Sequence, residues 1–153
     1  LAPLAAMFWL AATRPALAGW PVADQFPRWR KAWLGIAGAG LGLGWLVGHF
    51  LPGDSAPLPW LPLLNPLELS LLLGLLAGAA WLRNHEDPHR LGGLAWAGAA
   101  LFMLTMGVLR ACHQLADLPW NARLLMETTP QASLTVAWCL AGVTAWVLGS
   151  RRK

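Results

Sequence analysis

The chain has 153 residues, 57% of them hydrophobic and 12% charged, with a mean hydropathy of +0.50. A soluble domain carries about 25% charged residues, so the polar faces of a water-soluble helical bundle are missing and the composition points to a polytopic membrane protein. The net charge of +4 and the pI near 10.1 do not call for a nucleic-acid partner, because the basic residues sit at the ends of apolar segments instead of along one stripe.

The first apolar run, residues 1–13, stops at Arg14. As a helix it covers about 20 Å of a hydrocarbon core about 30 Å thick. Ala16-Leu17-Ala18 has the look of a signal-peptidase site, but Arg14 interrupts the approach and no basic region precedes the run. The run is therefore read as a partial span. Residues 1–153 are expected to be a single transmembrane helical region, the C-terminal fragment of a larger multi-pass protein.

Four complete spans follow, over 32–51, 66–82, 91–110 and 132–149, each of 17 to 20 residues and long enough to cross a bilayer as a helix. None alternates apolar with polar residues, which excludes barrel strands. The fold class expected is all-α, a polytopic transmembrane helix bundle. In the first full span Gly38, Gly40, Gly42, Gly44 and Gly48 give overlapping G-x-x-x-G pairs. Small residues let helices approach closely, so Gly38, Gly42, Gly44 and Gly48 are read as helix-packing positions.

Between the first two full spans lies PLPWLPLLNPLE, residues 57–68. Asn65 is placed to cap a helix that Pro66 begins, with Glu68 at its third position. Pro57, Pro59 and Pro62 hold the preceding stretch extended, so its backbone cannot lie deep in hydrocarbon. Residues 57–64 are read as an interfacial anchor, with a lid over a site as the alternative. The next connector contains His85-Glu86-Asp87-Pro88-His89, a literal H-E-x-x-H. That zinc motif needs both histidines on one helical face. Pro88 instead begins the next helix with Asp87 as its cap, so a solvated turn is the reading and no metal or other cofactor is expected.

Arg110 ends the third full span, with His113 three residues on. Glu68 begins the neighbouring antiparallel span, which makes an Arg110–Glu68 pair geometrically reasonable; the competing reading has Arg110 reaching lipid headgroups while Glu68 only caps its helix. His49, Asp54, Asp117, Glu127 and Gln131 fall on the same side without the spacing of a metal site or a nucleophile–base pair. Thr105 reads as a backbone-bonded packing residue. Cys112 and Cys139 stand at different depths, so no disulfide is expected.

Sorting the connectors alternately places nine basic residues on one side and two, Arg110 and Arg123, on the other. By the positive-inside rule the C-terminus is then cytoplasmic and the Pro-rich stretch faces outward. Trp20, Trp29, Trp33, Trp60, Trp81 and Trp120 fall near span ends, where an indole keeps its N–H wet, although Trp45, Trp96, Trp138 and Trp146 lie within spans.

Three stretches together, LPWLPLLNPLEL (58–69), RACHQLADLPW (110–120) and QASLTVAW (131–138), resemble the C-terminal region of the bacterial predicted membrane proteins grouped as domain of unknown function 2339. The resemblance covers roughly residues 20–150, and its matching positions include Pro59, Leu61, Pro62, Asn65, Pro66, Arg110, His113, Pro119, Trp120, Gln131, Ser133 and Trp138. It implies a large multi-pass protein of the bacterial inner membrane and no established activity, substrate or cofactor. The chain departs from the pattern at Trp60, Glu68 and Gln114, where Tyr, Asp and a second His are usual, and the last departure weakens any role for paired histidines.

The functional expectation is a structural or transport-related envelope component with an outward-facing polar cluster of Arg110, His113, Glu68, Asn65, Trp60, Trp120 and Gln131. The alternative is an envelope enzyme acting on a lipid-linked or glycan substrate at that face. The partners expected are the lipid bilayer, the N-terminal part of the same protein, and a second copy or another membrane protein.

Overall fold

A computed structural model describes residues 1–14, 26–54, 59–83 and 90–151. Among them there are five α-helices and no strand: α1 (Ala2–Thr13), α2 (Phe26–His49), α3 (Pro66–Arg83), α4 (Arg90–Leu115) and α5 (Thr128–Ser150), with a 3-10 turn at Ala122–Met126 before α5. α2 to α5 are each long and apolar enough to cross a membrane, and α1 is a shorter apolar helix. The H-E-x-x-H connector and residues 57 and 58 of the Pro-rich stretch lie outside the described residues.

Apolar residues on every side of a helix leave it no face for water, while its backbone bonds are closed internally, as a bilayer requires. Burial accordingly runs opposite to that of a soluble domain. Ile36 is 77% exposed and Trp146 73%, whereas Arg110 and His49 are 0% exposed. The helices alternate in direction. α3 sits in the middle, packed on α1, α2 and α4, while α5 packs chiefly on α4. Ala5 and Phe8 of α1, Ala37 and Leu41 of α2 and Ala77 of α3 form one apolar cluster; Met106 and Leu109 of α4 with Leu124 and Leu134 form a second.

The helix limits differ from the apolar runs in two informative places. α2 begins at Phe26 and includes Arg28, Arg30 and Lys31. One reason is that Arg30 donates to the carbonyls of Ala11 and Ala12 at 3.0 and 2.8 Å, meeting the open C-terminal carbonyls of α1. α4 continues past Arg110 to Leu115, where Ala116 bonds back to the Cys112 carbonyl and Asp117 turns left-handed at φ 54°. Asp is among the few residues that tolerate that conformation.

The α2 glycines do different things. A Cβ at Gly44 would lie 2.7 Å from Leu1 Cδ2, one at Gly48 3.0 Å from Leu71 Cδ2, and one at Gly38 3.2 Å from Phe8, whereas one at Gly42 would meet nothing within 4 Å. Gly48→Leu should therefore overpack the α2–α3 contact and cost about 1–3 kcal/mol. Gly42→Leu should be neutral or slightly stabilising, since Leu exceeds Gly in helix propensity by about 0.8 kcal/mol. Thermal unfolding of both variants in detergent checks the contrast.

Candidate functional site

The site is built where α2 ends, α3 begins and α4 passes. α3 starts at Asn65, whose Oδ1 accepts the backbone N–H of Glu68 at 2.9 Å, with Pro66 in the first helical position. That cap fixes the Glu68 carboxylate against α4. Its Oε1 accepts from Arg110 Nε at 3.2 Å, and its Oε2 accepts the backbone N–H of Leu63. Leu63 has φ 65°, a left-handed conformation costing an ordinary L-residue about 1–2 kcal/mol. The carboxylate thus holds the connector in a shape it would not adopt alone.

Arg110 is wholly buried, and its Nη1 donates to the carbonyl of His49, the last residue of α2, at 3.2 Å. One guanidinium therefore neutralises the carboxylate at the start of α3 and caps the carbonyl end of α2. The backbone just after α2 straps over it. Gly53 has φ 74°, and a Cβ there would sit 3.1 Å from Arg110 Cδ. Position 53 needs glycine for both conformation and space.

His49 Nδ1 donates to the Trp45 carbonyl at 2.7 Å, which leaves its Nε2 as an acceptor in the neutral ring. The imidazole lies between Trp45 and Phe102, with centroids 4.0 and 4.9 Å away. Trp45 Nε1 in turn donates to the Leu71 carbonyl of α3 at 2.9 Å. Four buried nitrogens, His49 Nε2, Trp60 Nε1, Asn65 Nδ2 and Arg110 Nη2, have no hydrogen-bond partner among the described residues.

The outward-facing residues expected from the sequence, Trp60 apart, divide into two groups. Arg110, Glu68 and Asn65 converge. His113 does not join them: its Nδ1 donates to the Leu118 carbonyl, and its ring packs 5.6 Å from Trp120. Trp120 Nε1 donates to the Phe50 carbonyl at 2.9 Å, and Gln131 Nε2 to the Leu125 carbonyl at 3.0 Å. Gln114 Nε2 donates to the Pro52 carbonyl at 3.3 Å. This second group fastens the 116–127 connector and the end of α2, and each of its side chains is spent on a backbone carbonyl. His49 and Gly53 also belong to the convergent group; the sequence placed His49 on this side without a role, and Gly53 was not singled out. The i, i+4 spacing of Trp45 and His49 was the available hint.

Chemically, the buried arrangement is an ion pair with capping bonds. Among the described residues no group of three or more His, Cys, Asp or Glu side chains is placed to hold a metal ion. What remains is the lineage of an arrangement that ties the Pro-rich connector to an arginine two helices away.

The chain belongs to the DUF2339 family of predicted membrane proteins. The family model matches residues 1–153, so the relationship extends across α1 as well as the stretches that carry the resemblance. No curated protein and no solved structure matches the chain.

Two substitutions isolate the local devices. Asn65→Ala removes the α3 cap and should cost about 0.5–2 kcal/mol. Gly53→Ala should cost about 1–3 kcal/mol, because a side chain is placed in a left-handed conformation against Arg110. Both are read as shifts in the denaturation midpoint of the detergent-solubilised protein, with an intact helical circular-dichroism signal beforehand.

Proposed function

We propose that residues 1–153 act as a non-catalytic structural module of a bacterial inner-membrane protein. In this reading the Arg110 cluster locks the outward end of the bundle and presents a fixed outer surface to the rest of the protein or to a membrane partner. The observation that supports it is the closure of the ion pair: Arg110 is 0% and Glu68 2% exposed. Both carboxylate oxygens and two guanidinium nitrogens are engaged within the chain. A catalytic pair needs a face open to substrate; this pair presents its bonds to helix ends and a connector.

A double-mutant cycle tests the reading. Breaking a buried pair by removing one partner costs about 3–5 kcal/mol, because the other charge is left uncompensated. Arg110→Met should thus lower the unfolding midpoint strongly. Adding Glu68→Gln should return part of the loss, with a coupling of about 1 kcal/mol or more. If Arg110→Met instead leaves stability unchanged or raises it, as replacement of a strained catalytic group commonly does, an envelope enzyme becomes the better description.

The outward assignment rests on the nine-to-two asymmetry of basic residues across the connectors. Cys112 is buried and reports poorly, so the test uses exposed positions with both native cysteines replaced by alanine. Arg123→Cys should react in intact cells with a thiol reagent that cannot cross lipid, and Arg151→Cys only after lysis. The reverse pattern would invert the topology.

A further inference from the structure

A groove of about 660 Å³ runs along the bundle between α2 and α4, with α3 as its floor. On α2 it extends from Lys31 to Trp45, which is about 21 Å of helix. Gly35, Gly42 and Gly78 open it, since a Cβ at any of them would meet nothing within 4 Å. Its Arg110 end is bounded by Trp45, whose ring packs against His49 at a tilt of 57°. At the other end stands Lys31, the one charged residue among the described residues that line it.

We infer that this groove binds one acyl chain of an anionic phospholipid, with the headgroup phosphate held at Lys31. The length and the placing of charge select the occupant. The length exceeds half of a hydrocarbon core about 30 Å thick, so a chain from one leaflet can lie along it. Its headgroup then sits at the interface, where Lys31, next to the α2 basic residues Arg28 and Arg30, supplies positive charge. The walls are apolar and the cation stands at the rim, a distribution that matches a lipid from headgroup to tail.

The test uses the whole chain in detergent, analysed by native mass spectrometry with added phosphatidylglycerol or phosphatidylethanolamine of identical acyl chains. One phosphatidylglycerol should be retained per chain. Lys31→Gln should lower the preference for phosphatidylglycerol about fivefold. Gly42→Leu with Gly78→Leu should abolish retention, because both side chains enter the groove from positions where a Cβ meets nothing within 4 Å. Retention by the filled variant equal to that of the unaltered protein overturns the inference, and an unchanged lipid preference in Lys31→Gln overturns the headgroup assignment. Should the filled variant unfold, a phosphatidylglycerol carrying a photoreactive group in its acyl chain decides the matter. Crosslinks at Gly35, Ala39 and Ala99 uphold the groove, and crosslinks confined to α5 refute it.

Discussion

A guanidinium removed from water needs a counter-charge and acceptors for its N–H groups, and the partners of Nε and Nη1 of Arg110 organise one end of this bundle. Arg110 stands on α4, its carboxylate partner on α3, its carbonyl acceptor at the end of α2. Shifting any of the three helices along its axis by one residue, about 1.5 Å, would break at least one of these bonds. The register of three helices is thereby coupled at a single side chain. Between apolar helices in lipid there is no hydrophobic driving force to set register, so a polar lock is a direct way to specify it.

The same principle recurs in weaker forms. Arg30 meets the terminal carbonyls of α1, and Trp45, Trp96 and Trp120 donate their indole N–H groups to the carbonyls of Leu71, Leu75 and Phe50. Each joins a long side chain on one segment to the backbone of another. Tryptophan is suited to the task, because it brings a large apolar surface with one donor and needs no counter-charge. The tryptophans inside spans, which do not fit an interfacial belt, are in part explained by this use.

What could be read from the sequence follows the range of the interactions concerned. The Asn65-Pro66-Leu67-Glu68 helix start is encoded within four neighbouring residues and appears as expected. The Arg110–Glu68 contact was open to the sequence as one of two readings, because opposite charges stood at adjoining ends of antiparallel helices. His113 was placed with that pair by helical spacing, yet the left-handed Asp117 swings the chain back and offers its ring the Leu118 carbonyl. A turn conformation of that kind is not written in i, i+3 spacing. The strap at Gly53 and the groove beside Gly42 depend on the separation between helices distant in sequence, and a string of glycines does not distinguish a tight contact from an opening.

The peripheral place of α5 bears on how the protein is made. α1 to α4 include the polar lock and the α1–α3 apolar cluster, and neither draws on α5, which buries only Pro130 and Leu134 of its own residues. A ribosome releases α5 after α1 to α4, which can meet in the membrane before it arrives. The polar lock can thus close during translation and receive α5 as an appendage, leaving that helix's remaining surface open to whatever the finished protein meets.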